Sequence, residues 1–439
     1  MQVIKYPERK DWQTLLQRPY ADNTAVLQSV QGILAEVKEG GDPAVRQLTE
    51  KFTGVSPDHF AVSEDEINAA ASRLSEDLKA AIGQAMQNIE SFHQQQAGGI
   101  SVSETMPGIA CWRKSVGIEK VGLYIPGGTA PLFSTVLMLA IPAKLAGCRE
   151  VVLCSPCDKE GNLHPAILYA AQVTGITKVF KIGGAQAIAA MAFGTETVPA
   201  VYKIFGPGNQ YVTAAKQLVQ MQGIAIDMPA GPSEVCVMAD QTACAAFVAA
   251  DLLSQAEHGV DSQVLLVTTD ETVIEAVQKE LAKQLAMLSR KDMAEKALAN
   301  SKAIVVKSKA EAIAMVNEYA AEHLIISCAD ADEIAEEITN AGSVFIGNYS
   351  PESVGDYASG TNHTLPTNGF ARAYSGVSVD SFVKKITYQK LSAKGLQNIA
   401  STVIHMAEAE GLDAHANAVK VRLAPPTPKE GEAGAQRPA

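Results

Sequence analysis

An α/β fold built on parallel sheets is predicted here, and three features of the sequence predict it. Short apolar runs alternate with helical stretches at the spacing of strand–helix–strand units, which implies a sheet covered on both faces. Gly or Pro follows closely behind most of those runs, as tight strand-to-helix turns demand. Aromatic residues make up only 5% of the 439 residues while Ala and Gly abound, a composition suited to close helix–sheet contact.

Residues 1 to about 100 read mainly as helices, at 25–39, 43–52 and 63–96, with i, i+3, i+4 apolar spacing and Asp, Ser or Pro start signals. Ser63 and Glu66 form a capping-box pattern ahead of Ile67. The character changes near Ile109. Strands are predicted at 121–125, 150–154, 178–182, 201–204 and 224–227, with helices at 133–146, 165–175, 186–193 and 209–221. A second alternation follows: strands at 233–238, 262–268, 303–306, 323–327 and 343–346, and helices at 242–258, 271–286, 309–321 and 330–340. Two successive modules suggest an internal duplication, although no clear sequence repeat accompanies it. Residues 381–422 return to helical periodicity, and the Pro-, Gly- and charge-rich tail 423–439 is predicted to be disordered.

The length allows about three domains. A net charge of −12 without any Lys/Arg block leaves no electrostatic footprint for nucleic acid. No apolar run approaches the ~20 residues of a membrane span, and the N-terminus MQVIKYPERKDWQ carries no secretory signature. A cytoplasmic protein with no nucleic-acid or membrane partner is therefore expected. Seven cysteines, an odd number in a large chain, argue against a disulfide framework. Cys154 and Cys157 form a CxxC, but it follows the apolar run 151–153 as a strand end would, and no second CxxC exists.

The stretch DLLSQAEHGVDS (251–262) carries the first chemical signal. Phe247, Val248, Leu252 and Leu253 give it an apolar face, and Gly259 is expected to end the helix. Gln255 and His258, three apart, then project from one face in a last turn whose free carbonyls welcome a cation. The pattern suits either a polar helix end or half of a metal site. Three glycine-rich loops lie behind strands of the first module: IPGGTAP (125–131), GGAQA (183–187) and FGPGNQ (205–210). Ligands of open α/β sheets bind beyond the carboxyl ends of strands, so the three loops together suggest a nucleotide-sized ligand, although each alone also fits a tight turn. Neither a GxGxxG nor a Walker A pattern is present to name it. Glu322 and His323 pair two proton acceptors of different basicity at a helix–strand junction. Asp356 and His363 share the long loop 350–369, and Glu410 and His415 bracket Gly411. Amide, imidazole and carboxylate groups across Gln255, His258, Asp356 and His415 would suit a borderline divalent metal such as zinc.

Seven strings then carry a resemblance: GLYIPGGTAPLFSTV (122–136), IFGPGNQYVTAAK (204–216), IDMPAGPSEV (226–235), DLLSQAEHG (251–259), NEYAAEHL (317–324), SGTNHTLPT (359–367) and AEGLDAHANAVKVR (409–422). In order and spacing they resemble histidinol dehydrogenases from about residue 20 to 422. The resemblance implies two Rossmann-like, incomplete, doubly wound α/β domains, with small helical N- and C-terminal segments that mediate an intertwined homodimer. It implies a helical segment at 1–19 packing with the C-terminal domain, a first α/β domain of 20–123 with 235–377 carrying metal and catalytic residues, a dinucleotide domain at 124–234, and a helical dimerisation segment at 378–422.

The activity implied is the zinc- and NAD-dependent oxidation of L-histidinol to L-histidine through a bound aldehyde, using two NAD⁺, as the last step of histidine biosynthesis. One zinc per subunit would be held by Gln255, His258, Asp356 and His415. Substrate would meet Ser233, Gln255, His258, His323, Asp356, His363, Glu410 and His415, with Glu410 and His415 supplied by the other subunit. Tyr124, Gln186 and Asn209 would touch NAD. Glu322 and His323 would be catalytic: His323 as the base for both oxidations, Glu322 activating the water that adds to the aldehyde. A catalytic cysteine is the chemical alternative, with Cys111, Cys148 and Cys236 the candidates, but none has a base adjacent in sequence. A zinc-bearing scaffold without activity, and a dehydrogenase of another amino alcohol, for example a sulfonated one, are the rival readings.

Overall fold

The computed structural model describes residues 1–18, 24–96, 98–127, 131–229 and 231–424. Contacts divide the chain into two compact units, one joining 1–97 with 117–383 and the other joining 98–116 with the chain from Lys384 onward. The first strands are β1 Gln2–Lys5, β2 Val102–Met106, β3 Ile109–Gly117, β4 Lys120–Tyr124, β5 Glu150–Cys154, β6 Lys178–Phe180 and β7 Lys203–Phe205. They are followed by β8 Ala225–Ile226, β9 Glu234–Ala239, β10 Gln263–Thr268, β11 Lys302–Val305, β12 His323–Ser327, β13 Ser343–Ile346 and β14 Val383–Leu391.

Two parallel sheets make up the first unit, in the orders β6-β5-β4-β7-β8 and β1-β11-β10-β9-β12-β13. Each module starts with its central strand (β4 or β9), lays the next two on one side and the following two on the other. That is the doubly wound arrangement the resemblance implies, and it is used twice. The strands are apolar almost throughout because both faces are covered: every residue of β9 and of β10 is buried. Helix Phe133–Leu145 is apolar all round and buries residues 134–143 between layers, whereas Gln210–Gln220 keeps an exposed polar side.

The N-terminal helices pack on the five-stranded sheet, not on the six-stranded sheet to which the resemblance assigned them. Val30, Leu34 and Val37 of Thr24–Thr53 share a core with Ile188 and Ala215. Ile67, Ile82 and Ile89 share one with Leu123 and Leu137. The capping box of Ser63 and Glu66 forms as expected. Residues 1–18 depart from the expected helical segment, because Gln2–Lys5 pairs with β11 as an edge strand. Only Trp12–Leu15 and a short 3₁₀ turn are helical there. Arg18 closes this segment by forking onto Glu234, at 3.0 and 2.7 Å, while its guanidinium lies 3.9 Å from the centre of the Tyr319 ring.

The second unit holds a three-stranded sheet, β14-β3-β2, and helices Ala393–Ala409 and Asp413–Leu423 joined at Gly411, whose φ is +73°. Trp112 stacks on Tyr388 across the sheet at 5.5 Å. Strand β14 replaces the first turns of the predicted 381–422 helical stretch. The predicted disorder of the tail concerns, from Pro425 onward, positions outside the described residues. Among the described residues no helix is long and apolar enough to cross a membrane.

Candidate active site

The polar centre of the first unit gathers at the amino edge of the six-stranded sheet. Ser233 and Glu234 stand at the start of β9, Gln263 at the start of β10, and Glu322 with His323 at the start of β12, where His323 is in register with Val235. Glu322 is buried and its Oε2 accepts from the Glu234 N–H at 2.9 Å. His323 is buried too. Its Nδ1 lies 3.3 Å from the Glu234 carbonyl and its Nε2 lies 3.2 Å from Asp356 Oδ1.

Those surroundings set the protonation. Burial pushes Glu322 well above the carboxylate range. Burial also opposes a charged His323, but Glu322, the hydrogen-bonded Asp356 and the nearby Glu352 outweigh it, so its proton is held more tightly than usual. Asp356 loses to burial but gains more from His323, and its carboxyl ends below the ordinary value. Glu322 and His323 therefore titrate as a coupled acid–base pair.

Asp356 does not sit in an irregular loop as the sequence suggests. It lies near the end of a short helix, Glu352–Tyr357, whose first residue is a second buried acid. Glu352 Oε1 accepts from the Ser254 hydroxyl at 2.7 Å. Gln255, also buried, has its donors and acceptors matched when its amide nitrogen donates to Glu352 Oε1 and its oxygen shares the Glu234 N–H with Glu322 Oε2, each at 2.9 Å. Glu352 Oε2 is left buried without a hydrogen-bond partner among the described residues, and burial raises its carboxyl to about 8. Sequence reasoning missed Glu352. The signal was its i, i+4 spacing to Asp356, concealed in a stretch read as loop.

Helix Ala245–Ala256 ends two residues before His258, so Gln255 belongs to its last turn and His258 lies beyond it. Gly259, expected as the left-handed terminator, does not have a positive φ. His258 is exposed at the rim, near enough to Asp356 and His323 for their charges to act on it. Ser233 is half-buried and its carbonyl accepts from the Gln263 N–H. His363 reaches the same centre from the loop behind Asp356: its Nδ1 is 2.8 Å from the Asp356 carbonyl and its Nε2 is 3.0 Å from Thr135 Oγ1. Glu410 and His415 are exposed residues of the second unit, at the end of one helix and the start of the next.

Glycine-rich loops occupy the carboxyl ends of the five-stranded sheet, with 128–130 of the first loop outside the described residues. Tyr124 ends β4, buried, and its hydroxyl accepts from the Gly184 N–H at 3.0 Å. Burial pushes that phenol up to about 12. Gln186 is buried in the first turn of helix Gly184–Phe193, close to Gly184. Exposed Asn209 caps helix Gln210–Gln220 by accepting from the Tyr211 and Val212 N–H groups at 3.0 and 3.1 Å. Gly206 (φ +123°) presses on the Tyr124 carbonyl where β4 and β7 meet, and a Cβ there would lie 2.0 Å from that oxygen. Its peptide is held on both sides, N–H to Asp227 and C=O to Lys216, at 2.8 Å each. Two helix N-termini thus open beside the switch point of the sheet, where anionic groups of a dinucleotide are favoured.

Gln255, His258 and Asp356 offer an amide oxygen, an imidazole and a carboxylate, donors that fit a borderline divalent cation. The orphaned Glu352 Oε2 beside them is a buried oxygen that no polar group among the described residues satisfies. Among the described residues no group of three or more His, Cys, Asp or Glu is gathered to hold a metal ion. The first unit thus offers three of the four expected donors, one an amide, and His415 belongs to the second unit.

Two doubly wound sheets, one ending in glycine-rich loops and the other holding a buried acid–imidazole pair, define an α/β enzyme with acid–base chemistry at its centre. The histidinol dehydrogenase family profile matches residues 16–423, and the chain belongs to that family of oxidoreductases. It is 58% identical over 423 residues to histidinol dehydrogenase of Bacteroides thetaiotaomicron, covering 96% of this chain and 99% of that one. It is 53% identical over 414 residues to the enzyme of Vibrio cholerae, covering 94% and 95%. The crystal structure of histidinol dehydrogenase from Elizabethkingia anophelis superposes with a TM-score of 0.94 at 54% identity, covering 96% of this chain and 98% of that one.

Proposed function

We propose that this chain oxidises L-histidinol to L-histidine through a bound aldehyde with two NAD⁺, the last step of histidine biosynthesis. It would do so in the cytoplasm as a homodimer with one zinc per subunit. The observation that carries the reading is the buried Glu322–His323 pair braced by Asp356 in a chain of this family. Bound NAD⁺ would take the hydride at each oxidation, and a divalent cation on Gln255, His258, Asp356 and the partner subunit's His415 would anchor the imidazole and amine of the substrate. The chain's own residues move the protons. His323 takes the hydroxyl proton as the first hydride leaves and passes it on to solvent, Glu322 as the carboxylate accepts a proton from the water that adds to the aldehyde, and the freed His323 takes the second hydroxyl proton. Ser233 and Glu410 complete the substrate contacts, while Tyr124 and Gln186 shape the loop and Asn209 the helix start that receive the dinucleotide.

Of the cysteine candidates, Cys111 lies in strand β3 of the second unit, and burial disfavours the other two as nucleophiles. Cys154 and Cys236 are fully buried and burial raises both thiols far above neutral, while Cys148 is pushed up to about 11. The test is NADH formation by zinc-loaded protein over a panel of amino alcohols. Histidinol should be turned over at least about 100-fold faster in kcat/KM than a sulfonated analogue, since an unpaired buried polar group rejects the wrong substrate strongly. Equal or better use of the sulfonated alcohol would reassign the substrate.

A further inference from the structure

Both ring nitrogens of His363 are already engaged. Nδ1 faces the Asp356 carbonyl at 2.8 Å, and a carbonyl only accepts, so Nδ1 carries the hydrogen. In the neutral ring Nε2 is then an acceptor, and its partner at 3.0 Å is the hydroxyl of Thr135, which donates. Thr135 is 1% exposed and lies in the first turn of helix Phe133–Leu145, directly after the glycine-rich loop behind β4. One turn further along, the Met138 carbonyl accepts from Asn362 Nδ2 at 2.6 Å, and Asn362 is buried as well. Two neighbouring residues of the 359–367 loop are thus fastened to the helix that opens the five-stranded module.

We propose that Thr135 is a positioning residue: its hydroxyl holds His363 in the Nδ1–H tautomer, and His363 in turn holds the Asp356 backbone, so that the helix behind the first glycine-rich loop sets the place of the Asp356 carboxylate. His363 is then a bridge between the two sheets, one ring nitrogen on the Asp356 carbonyl and the other on Thr135. The sequence separates Thr135 from His363 by 228 positions, and no local pattern links them.

The first measurement needs no substrate and no metal. In full-length protein labelled with ¹⁵N-histidine, the His363 signal, identified among the eight histidines by its loss in His363→Gln, should show a protonated Nδ1 and an unprotonated Nε2. The opposite tautomer overturns the proposal even if histidinol is the substrate. Thr135→Val removes the hydroxyl at nearly constant shape, and Thr135→Ser restores it. The Val variant should mix the His363 tautomers and lower zinc retention in chelator competition by about tenfold, as the loss of one buried hydrogen bond implies. The Ser variant should stay within about twofold of the parent. Ser and Val variants that behave alike would leave Thr135 a packing residue only. The histidinol KM, which rests on the function proposed above, should rise with the Val variant while kcat changes less. NADH formation that fails in the parent protein while the tautomer is as stated would overturn the function and leave the bridge standing.

Discussion

His323 Nε2 stands 3.2 Å from Asp356 Oδ1 while its Nδ1 faces the Glu234 carbonyl, so both ring nitrogens meet acceptors. The pair favours a charged imidazole at rest, and a base must be free to receive a proton. Anything that engages the Asp356 carboxylate, a cation above all, weakens that hold and prepares His323 for its role. His323→Asn should therefore lower the rate of both half-reactions by at least about 100-fold, the usual weight of a general base. Glu322→Gln should spare oxidation of the alcohol more than oxidation of the aldehyde. Single-turnover rates from histidinol and from histidinal check this, and equal losses in both steps would refute the division of labour.

Gln255 can present its oxygen to a cation only if its nitrogen is held elsewhere, and Glu352 Oε1 is the acceptor in place. Supporting acceptors of this kind commonly carry about 10- to 100-fold in metal affinity. Glu352→Ala should lower zinc affinity in chelator competition by that amount without unfolding the sheets as read by circular dichroism. Unchanged affinity would make Glu352 irrelevant to the amide.

Asp251, buried one turn before Gln255, has its carboxyl raised from 3.8 to about 7 by burial. Folding therefore favours the protonated acid. The stability this contributes is complete below pH 3.8 and is lost as pH rises through about 7. Asp251→Asn cannot ionise, so its melting temperature relative to the parent should climb between pH 4 and pH 8. A constant difference across that window would contradict the burial argument.

Gly206 is required by its φ of +123° and by the Tyr124 carbonyl against its Cα. Gly206→Ala should destabilise the protein by at least about 1–3 kcal/mol. It should also weaken NADH binding, because the loop is pinned between Lys216 and Asp227 and has no room to yield. Thermal unfolding and fluorescence titration with NADH read the two effects.

Much of this was legible locally. Parallel strands such as β9 and β10 announce themselves as apolar runs because both faces are buried. The glycine loops mark the carboxyl ends of the five-stranded sheet, where a ligand is expected. Other parts were not. In VKKITYQKL of β14 nearly every residue is exposed, so no buried face imposes a period of two and the stretch reads as helix. Six residues of helix Glu352–Tyr357 are too few to show a stripe, which hid Glu352. The buried polar cluster of the six-stranded sheet lies at its amino edge, opposite to where the usual rule looks for a site, because Glu322–His323 begin a strand and Gln255 ends a helix. Thr135 meets His363 only through the packing of two layers, and no spacing in the sequence encodes that meeting.

The most direct test supplies a limiting, known amount of L-histidinol to zinc-loaded protein with excess NAD⁺ and counts the NADH formed. Two NADH per histidinol, with histidine as the product, is the predicted outcome. One NADH with free histidinal, or none, would contradict the four-electron oxidation assigned to Glu322 and His323.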